Sequence, residues 1–222
     1  MNSSGSLFMD GFWRNNAAFV QLLGLCPLLA ITTTLVNGLA LGIATTLVLI
    51  ATNAVVSLIR GSLVPSIRIV VFVLIIASLV TTVDMLTNAF FHDLYRVLGL
   101  FIPLIITNCA ILAQAESVAS RRRIDQAALS GLATGLGFAA ALVLLGGLRE
   151  IVGFGTLFSG MEFLLGDAAR GIYLDLPHDG MLAAILPPGA FFGLAALIAL
   201  RNWLTTRDTN ATVQKAEAEA RT

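Results

Sequence analysis

Apolar runs close to twenty residues long recur along this chain, the length a helix needs to cross about 30 Å of hydrocarbon. Six can be read, at about 17–36, 39–59, 67–90, 95–115, 127–149 and 182–203. Polar stretches separate them: Asn37-Gly38, Arg60-Gly61, His92-Asp93, Arg121-Arg122-Arg123 and the longer segment Gly153–Gly180. Charged residues make up only 12% of the chain, about half the share a soluble domain carries. In hydrocarbon every backbone polar group needs an internal partner, so such segments span as helices. The expected fold class is an all-α integral membrane protein with six transmembrane helices.

Positive charge orients the spans. With the N-terminus inside, Arg14, Arg60, Arg68, Arg121, Arg122, Arg123, Arg201, Arg207, Lys215 and Arg221 fall on the cytoplasmic side. Only Arg96, Arg149 and Arg170 fall outside. Residues 1–16 then form a cytoplasmic N-terminus and 204–222 a cytoplasmic charged tail, expected as a short frayed helix. The N-terminus does not read as a cleavable signal, because the apolar run from Ala17 carries no small-residue cleavage pattern. A formal net charge of zero gives no footprint for nucleic acid.

The two halves of the chain echo each other. Gly38-Leu39-Ala40-Leu41-Gly42 opens the second span and Gly131-Leu132-Ala133-Thr134-Gly135 lies early in the fifth. Pro27-Leu28-Leu29 in the first span matches Pro103-Leu104-Ile105 in the fourth, and Pro65 before the third matches Pro187-Pro188 in the sixth. Three spans per half is an odd number. Repeat one (17–90) and repeat two (95–203) must therefore cross in opposite directions, an inverted repeat of three plus three. The paired Gly-x-x-x-Gly motifs are read as close helix contacts.

Proline inside a span removes a backbone hydrogen bond and disfavours helix just before it. Spans one and four are therefore expected as broken helices, and such breaks at corresponding places in two inverted halves point to a midplane site. The only two cysteines, Cys26 and Cys109, lie in these segments, in Leu25-Cys26-Pro27 and Thr107-Asn108-Cys109. Counted from the inner ends of their spans, they differ in depth by about 5 Å at about 1.5 Å per residue. Three readings stand side by side. The cysteines are small hydrophobes, or a disulfide, which needs an oxidising setting, or half of a four-thiolate metal site whose other half a partner supplies.

These phrases, with Phe12-Trp13-Arg14-Asn15-Asn16, Gln21-Leu22-Leu23-Gly24, Ala115-Glu116, Leu148-Arg149-Glu150, Gly155-Thr156-Leu157-Phe158 and Leu186-Pro187-Pro188-Gly189-Ala190-Phe191, resemble the E subunits of the Rnf-type electron transport complexes. These are ion-translocating ferredoxin:NAD oxidoreductases of bacterial inner membranes. The D subunits of the sodium-translocating NADH:quinone reductases are the sister family. The resemblance implies that Cys26 and Cys109 give two ligands to a [2Fe–2S] cluster, with two more from the homologous A subunit. It implies Rnf subunits B, C, D and G as further partners, no flavin on this chain, and electron transfer across the bilayer coupled to Na+ or H+ transport.

Three carboxylates are candidates for an ion path or an interface: Asp84, Glu116 and Glu150. Asp84 lies near the outer end of span three, where it is either a relay or a carboxylate hydrated outward. Glu116 closes span four. Arg149-Glu150 ends span five as an ion pair or a subunit contact. His92 and His178 read as loop residues, and Met161–Leu165 as a short amphipathic surface helix. The rival functions are a small-solute transporter or channel, and a structural assembly protein with inert cysteines. No charged residue lies at mid-depth beside either cysteine, which disfavours the transporter.

Overall fold

The computed structural model of the protein describes residues 11, 16–90, 92–157, 174–175 and 180–219. Its helices are α1 (Leu25–Ile31), α2 (Leu35–Ile59), α3 (Arg68–Phe90), α4 (His92–Leu98), α5 (Cys109–Gln114), α6 (Ile124–Phe154), α7 (Leu182–Ile185) and α8 (Pro187–Glu219). A 3₁₀ turn over Ile102–Ile105 precedes α5, and a π-helical turn over Ala115–Ala119 prolongs it. Thr156–Leu157 and Leu174–Asp175 pair as a two-residue antiparallel ladder. Among the described residues four segments are long and apolar enough to cross a membrane, Leu35–Ile59, Arg68–Phe90, Ile102–Ala119 and Ile124–Phe154, and the first and sixth of the six expected spans are not among them. The all-α membrane architecture is as the sequence implies. His178 and the Met161–Leu165 segment lie outside the described residues.

The centre of the molecule is the antiparallel pair α2 and α6, which make the most extensive contact of any two elements. Glycines set their separation. A Cβ added at Gly42 would lie 2.8 Å from the Cβ of Ala139, and one added at Gly135 would lie 2.8 Å from Cγ2 of Thr46. Without a hydrophobic force between helices in lipid, close backbone approach supplies the packing energy. Gly135→Leu is expected to force the pair apart at an overpacking cost of about 1–3 kcal/mol. Thermal unfolding of the solubilised protein would show this as a lowered midpoint, and an unchanged midpoint would contradict glycine-set packing.

One unit occurs twice. α1, a break at Thr32–Thr34 and the long α2 form the first copy. α5 with its π turn, a break at Ser120–Arg123 and the long α6 form the second. Because α2 and α6 are antiparallel, the two copies run oppositely, as an inverted repeat with broken helices requires. The second copy is followed by α7 and α8, as the first is by α3.

Several boundaries differ from the sequence reading, each for a local reason. The break between the first two spans lies at Thr32–Thr34, not at Asn37-Gly38, because Oγ1 of Thr34 caps α2 by accepting from Asn37 N at 3.3 Å. Gly38 sits inside α2, where a Cβ would lie 2.8 Å from the carbonyl oxygen of Leu142. The sixth segment is also broken, at Leu186. Pro187 opens α8, where its missing N–H costs nothing, and it cannot continue α7. The charged tail is no separate helix but continues α8 to Glu219. Finally, Pro27 lies within the first turn of α1 whereas Pro103 lies in a separate 3₁₀ turn. The positions that correspond between the halves are therefore the half-helix starts at Gly24 and Asn108, not the prolines, with Cys26 second in its helix and Cys109 first.

On α3 only Phe72, Ile76 and Val80 are buried. That is one stripe at a spacing of four, the rest of the helix being free to face lipid.

Candidate metal centre

Cys109 is the first residue of α5, and the side chain of Asn108 caps that helix by accepting from Ala110 N at 3.0 Å. Cys26 is the second residue of α1, which opens at Gly24 in a left-handed conformation, φ 75°. The first N–H groups of a helix have no intrahelical partner and carry the positive end of its dipole. Pro27, third in α1, has no N–H to orphan. Both thiols therefore sit where a helix favours negative charge. The two half-helices run from this point toward opposite ends of the bundle, so their positive ends face each other.

The segments meet directly. The backbone N–H of Gly24 donates to Sγ of Cys109 at 3.0 Å, and Cys26 follows two residues later, at most about 8 Å of chain away. Both cysteines are free thiols and both are exposed. The two cysteine-bearing segments thus lie directly against each other. Among the described residues no three His, Cys, Asp or Glu side chains cluster as a metal set. A metal held here needs ligands from outside the chain.

Each break is latched by the far end of the other half's long helix. At the end of α6, Arg149 is 3% exposed and Glu150 fully buried. Arg149 donates to Leu29 O at 3.3 Å and Thr32 Oγ1 at 3.0 Å, where α1 ends. It also donates to Ala184 O at 3.1 Å and Ile185 O at 2.5 Å, where α7 ends. Glu150 accepts from Leu35 N at 2.8 Å, the first residue of α2. A cation thus meets orphaned carbonyls and an anion an orphaned amide, each at the helix end whose dipole suits it. At the end of α2, Ser57 donates to Arg122 O at 2.8 Å and Arg60 to the same oxygen at 2.6 Å, at the break after α5. Asn53 donates to Ala127 O at 3.0 Å one turn further on. From sequence, Leu148-Arg149-Glu150 reads as an ion pair or subunit contact. In the structure both charges turn to the ends of other helices.

The remaining carboxylates separate. Glu116 lies in the π-helical turn and forms an ion pair with Arg68 at the start of α3. With side chains 35% and 37% exposed, that pair is worth roughly 0–1 kcal/mol. Asp84 continues the buried stripe Phe72, Ile76, Val80 by one more turn. It is half-buried, and its Oδ1 has no hydrogen-bond partner among the described residues. His92 is exposed, with Nδ1 3.3 Å from Asn88 Oδ1.

Fold and site together define a polytopic membrane protein of two opposed broken-helix units, with a pair of open thiols where they meet. The chain belongs to the Rnf-Nqr family: residues 5–198 match the family described as "Rnf-Nqr subunit, membrane protein". It is 58% identical over 200 residues to a protein of Thioalkalivibrio sulfidiphilus, covering 89% of this chain and 88% of that one. It is 53% identical over 221 residues to one of Pseudoalteromonas atlantica, covering 99% and 95%. To one of Vibrio cholerae it is 50% identical over 222 residues, covering 99% and 96%. Each of these relatives is named as the E subunit of an ion-translocating oxidoreductase complex.

Proposed function

We propose that this chain is a membrane component of an ion-translocating ferredoxin:NAD oxidoreductase complex of a bacterial inner membrane, with both termini cytoplasmic and no catalytic activity alone. In this reading Cys26 and Cys109 are half of the ligand set of a [2Fe–2S] cluster. The homologous A subunit supplies the other two cysteines, and Rnf subunits B, C, D and G complete the assembly. The names of relatives similar over nearly the whole chain support membership of such a complex. The observation that carries the site is the contact of the two cysteine segments, Gly24 N–H to Cys109 Sγ, with both thiols exposed in the first turns of two opposed half-helices.

The donor set fits the group. Thiolates are costly in hydrocarbon unless a metal holds them, and a [2Fe–2S] cluster takes four such ligands. Two exposed thiols leave room for two from a partner. When bound, such a cluster supplies a one-electron relay between carriers on the two faces of the bilayer. The chain's own residues prepare the place: the helix ends offset negative charge, Gly24 supplies an N–H to one sulfur, and the latches hold the breaks in register. Glu116 and Glu150 are engaged with Arg68 and Leu35, so Asp84 is the carboxylate this reading leaves for an ion path.

Thiol labelling tests the half-site. In the chain expressed alone, both cysteines are expected to react with a maleimide. In the assembled complex both should be protected, and removal of iron by oxidation and chelation should restore the reaction. Protection that persists after iron has left would mean that the cysteines are merely buried by a partner.

A further inference from the structure

We propose that the backbone amide of Gly24 is a built-in regulator of the reduction potential of the centre held at Cys109, a role resting on the cluster reading above. A hydrogen bond to a ligating sulfur stabilises the more negative, reduced state and so raises the potential. The structure places one such bond, Gly24 N–H to Cys109 Sγ at 3.0 Å.

The surroundings show how firmly that amide is aimed. Leu22 (φ 53°) and Gly24 (φ 75°) are both left-handed, a conformation that costs a leucine energy and persists only where its surroundings impose it. Gly24 is buried, and a Cβ there would lie 2.7 Å from a ring carbon of Phe138 and 2.8 Å from Asn108 Oδ1. No other residue fits this conformation and this space together. The start of the loop is anchored beside the same ring. Asn16 Nδ2 donates to Gly137 O at 2.9 Å, while its Oδ1 accepts from Ala18 N at 2.9 Å and Phe19 N at 3.3 Å. The capping amide of Asn108 forms the opposite wall, and its Nδ2 is a buried donor with no partner among the described residues. Gly24 is a positioning residue: the loop is folded around delivering its N–H to one sulfur.

The test is a potentiometric titration of the [2Fe–2S] EPR signal in the assembled complex, carrying the full chain as wild type, Gly24→Ala or Phe138→Leu. Gly24→Ala forces the amide away from Cys109, and Phe138→Leu removes part of the wall that presses it there. Both variants are expected to keep the signal, with the midpoint moved to a more negative potential, more so for Gly24→Ala. If Gly24→Ala does not assemble, the Phe138→Leu midpoint decides. A signal present in the variants at the wild-type midpoint overturns the role given to Gly24 and leaves the cluster reading intact. Absence of any Cys109-dependent signal in the wild-type complex overturns the cluster reading itself.

Discussion

Arg149→Ala is expected to lower the thermal midpoint of the solubilised protein by on the order of 10 °C. The side chain is almost fully buried and its donors are divided between the ends of α1 and α7. Removing it leaves the partly buried Leu29 O, Ala184 O and Ile185 O without this donor. An unsatisfied buried acceptor costs about 1–3 kcal/mol, and losing one side of a buried charged network typically costs about 3–5 kcal/mol. At about 2–4 °C per kcal/mol for a protein of this size, the shift is near 10 °C. Arg149→Lys should recover only part of it, because an ammonium cannot reach two helix ends at once as the guanidinium fork does. The two breaks would also lose their register, so the variant should show reduced assembly of the complex before any loss of helix. An Arg149→Ala protein with the wild-type midpoint would show that the latch carries no stability.

The other large effect is chemical. Cys26→Ser and Cys109→Ser are each expected to take electron transfer through the assembled complex to background while the chain still folds. Serine preserves the volume, and the exposed thiols contribute little to the core. A hydroxyl is a poor soft ligand, so losing one thiolate of four should prevent stable iron binding. Each single variant should therefore be as severe as the double. A graded, additive loss would suit two independent cysteines and not one shared centre.

Much of this architecture is legible in the sequence because lipid imposes simple rules. Span length and the low share of charge give the membrane class, and the third span, read at 67–90, falls within a residue of Arg68–Phe90. The glycine pairs of the second and fifth spans, read as close-contact motifs, do form the α2–α6 crossing. The true correspondence between the halves is harder to see. Pro27 and Pro103 are the conspicuous residues, yet the equivalent points are the half-helix starts at Gly24 and Asn108. One opens with a left-handed glycine and the other with an asparagine cap, two different solutions to one geometric problem. The latches are not legible either. Arg149 and Glu150 announce themselves as charges at a span's end, but only the folded chain shows that one meets carbonyls and the other an amide. Nothing in the sequence marks a backbone N–H, so the bond from Gly24 to Cys109 has no signal beyond the glycine itself.

In the proposed function Cys26 and Cys109 together hold half of one [2Fe–2S] cluster. The most direct measurement is the EPR spectrum and iron content of the reduced, assembled complex, compared with complexes carrying Cys26→Ala or Cys109→Ala. A [2Fe–2S] signal is expected in the wild-type complex and is expected to disappear in each variant, with the loss of about two iron atoms per complex. An unaltered signal and full iron content in both variants would contradict it.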